Sequence, residues 1–146
     1  MSVLAPPRAS ELLFRRVRLT VGPLAAAEAR SEVRTAIRSW EIPVDEDAAV
    51  LLTSELVTNA LRNDAGRPVM LVLTCSGKTL RVAVHDTSRC MPVAVEAPAD
   101  AETGRGLMLV ASLSAAWGFY RTPAGKAVFF TLAFQPDLSP AGTRTS

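Results

Sequence analysis

The sequence is poor in the residues that build several common kinds of site. Two cysteines, Cys75 and Cys90, lie far apart without a CxxC spacing, and His85 is the single histidine. A disulfide scaffold and a Cys/His zinc centre are therefore excluded as organising principles. Aromatic residues make up only 5% of the chain, which leaves no aromatic stripe of the kind that stacks single-stranded nucleic acid. No apolar run approaches the ~20 residues needed to cross a bilayer. The best stretch, residues 107–118, is interrupted by Ser112 and Ser114, and the N-terminus lacks a signal-peptide apolar core. The expectation is a cytoplasmic protein that does not engage a membrane. Neither sign of charge dominates, at a net +2, and 49% of the 146 residues are hydrophobic. That balance suits one globular domain rather than a disordered chain.

The charge is nevertheless uneven. Residues 1–40 carry seven Arg against three Glu, and residues 41–66 carry one Arg against six acids. The basic N-terminal part, with Arg8, Arg15, Arg16, Arg18 and the helical row Arg30, Arg34 and Arg38, raises the question of nucleic acid. Without interleaved aromatic residues, a solvated charged face is the simpler reading, and nucleic acid is not an expected partner.

The patterning predicts an order β-α-α-β-β-α-β-β. Residues 14–20 alternate with Phe14, Val17 and Leu19 as apolar members, and their arginines mark an edge strand. Gly22-Pro23 opens a helix with an apolar stripe on Ala26, Ala29, Val33, Ile37 and Trp40. Pro43 ends it. Asp45, Glu46 and Asp47 begin a second helix, where acids suit the positive end of the dipole, and it runs to about Asn63. Residues 69–75 and 80–84 form a hairpin across Ser76-Gly77-Lys78, with Leu80, Val82 and Val84 on one face. Residues 89–103 read as a loop and 104–114 as a third helix. Residues 117–121 and 127–134 form a second hairpin across Pro123-Ala124-Gly125. Residues 1–13 are expected to be a flexible arm, 14–134 the domain, and 135–146 a disordered tail. Strands grouped without βαβ alternation imply an α+β fold, a two-layer sandwich whose mixed, mostly antiparallel sheet is covered on one face by helices.

Three features break the apolar pattern. Glu55 and Asn59, at i and i+4, share one face of the second helix among Leu51, Leu52, Leu56, Ala60 and Leu61. A helix edge facing water is the plain explanation. Asp86 shares strand parity with Leu80, Val82 and Val84, so it points toward the helix-covered face, where a carboxylate must find partners. Capping of the following turn is the alternative there. Gly104-Arg105-Gly106-Leu107 opens the third helix, where free N–H groups favour an anion, although a lone GxG is often only a turn. The Walker and dinucleotide patterns are both absent.

Taken in order, these segments resemble the GHKL-type, or Bergerat-type, ATP-binding fold shared by gyrase, histidine kinases and the mismatch-repair protein MutL. Within it they look most like the anti-sigma-factor serine kinases and their actinobacterial relatives. Ser54-Glu55-Leu56-Val57-Thr58-Asn59-Ala60-Leu61 resembles the N box, Val84-His85-Asp86-Thr87-Ser88 the first glycine box, and Gly104-Arg105-Gly106-Leu107 the second. The resemblance implies ATP and Mg²⁺ as cofactors. Asn59 would hold Mg²⁺, Glu55 would be the catalytic general base, and Asp86 would accept a hydrogen bond from the adenine amino group. Gly104 and Gly106 would offer backbone N–H groups to the phosphates. Arg105 would lie near the terminal phosphate, Leu107 would complete that box, and residues 89–103 would form the lid. Three places depart from the pattern, the first being Asn63, where many relatives have His. Ser88 stands where a glycine is usual, and Lys126-Ala127 stand where a threonine often supports the adenine-binding Asp. The implied activity is a regulatory protein serine/threonine kinase: an anti-sigma factor that binds a sigma factor and phosphorylates an STAS-type anti-anti-sigma protein, with homodimer formation aided by Trp40, Trp117 or an exposed strand edge. The alternative is a nucleotide-dependent protein-binding module without catalytic activity.

Overall fold

The computed structural model describes residues 12–63, 66–87 and 116–134. Within them lie five strands and two helices: β1 (Leu13–Arg18), α1 (Ala25–Trp40), α2 (Glu46–Asn63), β2 (Met70–Cys75), β3 (Thr79–Asp86), β4 (Ala116–Arg121) and β5 (Lys126–Ala133). The expected third helix, the loop 89–103 and the C-terminal tail lie outside the described residues, as do Ser88, Cys90, Gly104, Arg105, Gly106 and Leu107.

The strands form one sheet in the order β1-β2-β3-β5-β4. All four described pairings are antiparallel, in agreement with the mostly antiparallel sheet expected. Both helices cover one face, which gives the α+β two-layer architecture. The pleat explains the division of residues. Leu71, Leu73, Leu80, Val82, Val84, Val128 and Phe130 alternate inward and are buried under the helices. Each such side chain contributes about 1.5–3 kcal/mol by leaving water. In β1 the alternation differs from the expected one. Leu13, Arg15 and Val17 face inward while Phe14 is 57% exposed. Phe14 and Val17 are three residues apart, so a period of two cannot place them on one face.

Each helix is set by local chemistry. Gly22 adopts φ 114° in the turn before α1, a conformation that disfavours side chains. Ala25, Ala29, Val33, Ala36 and Ile37 form the buried stripe of α1, and Ala26 and Trp40 sit at its margins. Glu41 ends α1 in the left-handed region (φ 55°), and its N–H bonds the Arg38 carbonyl oxygen at 3.2 Å. Asp45 Oδ1 accepts a 3.1 Å bond from the Ala48 N–H at the start of α2. The basic row of α1 is turned toward α2. Arg38 and Arg34 reach Glu46 at 2.9 and 3.9 Å, and Arg30 donates to Ser54 Oγ at 2.9 Å. Arg15 ties β1 to α1 through Glu32 at 2.7 Å. Helix α2 in turn lies against β3 and β5, where the chemistry-bearing residues converge. No helix among the described residues is long and apolar enough to cross a membrane.

Candidate functional site under the helix layer

Asp86 ends β3 and Lys126 begins β5, and the antiparallel register sets them directly opposite each other. Opposed residues share a face with Cβ atoms about 5 Å apart, so the longer lysine stem brings its ammonium onto the carboxylate. Lys126 Nζ donates to Asp86 Oδ1 and Oδ2 at 3.0 and 2.9 Å. The two side chains are 0% and 1% exposed. A buried pair of this kind holds because each charge supplies what desolvation removed from the other.

Gly125 makes the approach sterically feasible. The β4–β5 turn closes with Thr122 N–H on the Gly125 carbonyl oxygen at 3.0 Å, and Gly125 N–H on Thr122 Oγ1 at 2.9 Å. A Cβ at Gly125 would lie 2.6 Å from Thr87 Cα and closer still to the Asp86 carbonyl oxygen. Only a residue without a side chain lets the turn pass this close to the end of β3.

Asn59 faces the same layer from α2. It is 3% exposed, and among the described residues neither Oδ1 nor Nδ2 has a hydrogen-bond partner. A helix edge facing water, the plainer sequence reading, does not describe it. A buried amide without a partner is costly, and a ligand that supplied one would relieve that cost. Glu55, one turn earlier, is half-buried at the margin of the helix. Thr53 Oγ1 is likewise buried without a partner, but it lies about 120° around the helix from Asn59 at 100° per residue.

The donor set suits a hard cation held partly by a ligand. No group of three or more His, Cys, Asp or Glu that could cage a metal occurs among the described residues. A single amide oxygen from Asn59, completed by phosphate oxygens and water, is chemistry that Mg²⁺ accepts. The phosphate-facing segment expected at Gly104, Arg105, Gly106 and Leu107 lies outside the described residues, as does Ser88.

The other face of the sheet has a different character. A cavity of about 590 Å³ opens there, lined by Arg16, Met70, His85 and Tyr120 among others, and it reaches round the end of β3 to Asp86 and Thr87. Sequence reasoning did not anticipate it. Its residues come from four strands, and only the sheet order brings them together. Burial and the nearby Arg16, with a smaller push from Arg81, lower the His85 pKa, while Asp86 opposes the shift. Arg81 lies 4.1 Å from the Phe129 ring centroid. Thr131 is on this face too, with its hydroxyl toward the Ala116 carbonyl oxygen at 3.5 Å, so it does not support Asp86. Trp40 and Trp117, suggested for subunit pairing, pack against the core.

The fold and the buried layer define a class: a helix-covered antiparallel sheet that offers an acid, a cation and an unpartnered amide between its two layers. Residues 19–132 match the histidine kinase-like ATPase domain family, and the chain belongs to that family. No curated protein matches the chain. Membership makes ATP binding the family function and supports the GHKL-type fold inferred from the N box and glycine boxes.

Proposed function

We propose that the protein is an ATP-binding anti-sigma factor with serine kinase activity toward an STAS-type anti-anti-sigma partner. The observation that carries this reading is Asn59, buried with its whole amide unpartnered and one helical turn from a half-buried Glu55. In this reading Asn59 Oδ1 ligates Mg²⁺, which neutralises phosphate charge when bound. Glu55 accepts the proton of the attacking serine hydroxyl. Asp86 takes the adenine amino group, and the layer of α1 and α2 keeps water from that end of the site. The sigma factor and the phosphorylated partner are the regulatory outputs, and the activity belongs to the cytoplasm.

A second reading, a nucleotide-dependent binding module without phosphoryl transfer, is favoured by one observation. Lys126 holds the Asp86 carboxylate where a threonine was expected, which alters the base end of the site. One experiment separates the two. The full chain is incubated with γ-labelled ATP, Mg²⁺ and a co-encoded STAS-type protein, beside Glu55→Gln. The kinase reading expects label on a partner serine, lost by at least about a hundredfold in Glu55→Gln, with ATP affinity retained. ATP binding by wild type without any transfer overturns the kinase reading and leaves the binding module.

A further inference from the structure

The ammonium of Lys126 has three N–H bonds. Two are directed at Asp86. Among the described residues the third has no acceptor, although Lys126 is fully buried. A buried charged donor left without a partner is unfavourable. Lys126 is bonded where the Asn59 amide is not, but it keeps one N–H to offer, on the same side of the sheet as Asn59. An acceptor brought next to Asp86 would take that N–H.

Asp86 accepts and Lys126 donates, so together they present a fixed acceptor beside a fixed donor. The Watson–Crick edge of adenine carries the complement: the N6 amino group donates, and the adjacent N1 accepts. A carboxylate can accept about four hydrogen bonds, so Asp86 can serve a ligand donor beside Lys126 and its other contacts. We propose that Lys126 is a base-reading residue of this site, donating directly to adenine N1 while Asp86 takes the N6 amino group. The inference rests on the ATP-binding reading of the site and adds to it a second, charged specificity contact. It also gives Gly125 a role, since its missing side chain permits the approach that seats Lys126 beside Asp86.

The test uses the full chain and calorimetric titration of ATP, 1-deaza-ATP, in which N1 becomes C–H, and 7-deaza-ATP as a control for loss of a different ring nitrogen. Wild type is expected to bind 1-deaza-ATP at least about tenfold more weakly than ATP, the scale of one hydrogen bond to a charged group. 7-deaza-ATP should stay within about twofold of ATP. In Lys126→Met the ATP to 1-deaza-ATP ratio should collapse toward one. Because Lys126→Met exposes Asp86 to the loss of its partner, a measurement on wild type accompanies it. The chain has only two lysines, Lys78 and Lys126, and Lys78 is exposed. With ¹⁵N-lysine labelling, the buried ammonium signal should shift on adding ATP and shift far less with 1-deaza-ATP. Equal binding of ATP and 1-deaza-ATP by wild type, or an ammonium signal indifferent to both, overturns the proposal. So does a wild type that binds no ATP. ATP binding that depends on N1, without transfer to any serine, retains Lys126 as a base reader and removes only the kinase reading.

Discussion

The two faces of the sheet treat positive charge in opposite ways. On the helix-covered face a lysine is fully buried and donates twice to a single carboxylate. On the open face Arg16, Arg18, Arg81 and His85 alternate outward along β1 and β3, and no Asp or Glu alternates onto that side of the described strands. There the arginines keep contact with water, Arg81 rests on Phe129 instead of on an acid, and His85 is held toward its neutral form. Attraction between charges is weak where water screens it and strong where water is excluded. The covered face therefore has to match its charges one to one, whereas the open face tolerates an unmatched excess. Specific recognition of a small ligand fits the first, and the field of the second bears on His85.

The largest effect expected from breaking this contrast is at the buried pair. Asp86→Ala or Lys126→Met should each lower the unfolding free energy by about 3–5 kcal/mol, because each strands a charge in the covered layer. Asp86→Leu combined with Lys126→Met should recover most of that loss. Denaturant unfolding of the two single variants and the double variant gives the answer. Additive losses would mean that the two residues do not act as a unit.

A middle-sized effect separates ligand binding from packing at Asn59. Asn59→Leu replaces an orphaned amide with apolar surface of similar size, so the free protein should be unchanged or more stable by about 1 kcal/mol. Mg²⁺-dependent ATP affinity should fall by more than about tenfold in the same variant. Thermal unfolding in the absence of nucleotide and titration in its presence check the two halves separately. A destabilised free protein would assign Asn59 to the fold alone.

The smallest effect comes from the open face. Burial and Arg16 resist protonation of His85, so its folded pKa lies below the ordinary 6.5. As pH falls through about 6.5 the unfolded chain takes up that proton first. Stability should then decline with falling pH until His85 protonates in the folded state as well. Arg16→Gln removes part of the repulsion and should make the decline shallower, and His85→Gln should remove this contribution. Unfolding measured between pH 7.5 and about 5 tests the sign.

The local pattern carried much of the architecture. The apolar period placed α1 and α2, the acids at 45–47 marked the start of α2, and the turn at Ser76-Gly77-Lys78 joined β2 to β3. Strand parity was enough to turn Asp86 toward the helices, because a period of two leaves no other face for a residue in step with Leu80, Val82 and Val84. The spacing of Glu55 and Asn59 put both on one side of α2, but depth was not legible. Only the packed layers show Asn59 buried and Glu55 at the margin. Phe14 shows a different failure, since the pattern groups it with Val17 and Leu19 as the apolar members of residues 14–20 while the pleat of β1 turns it to the open face.

By itself, then, the sequence determined the elements, the sheet faces of most side chains and the order of the N box and glycine boxes, because each is a matter of residues within a few positions of one another. The tertiary structure decided what Asp86 meets. Strand β5 lies beside β3 although β4 comes first along the chain, and that adjacency sets Lys126 opposite Asp86 across forty positions of sequence. No local period encodes such a pairing. It follows from the sheet order and from the single turn, at Gly125, where the backbones can approach closely enough for a buried charge to be matched.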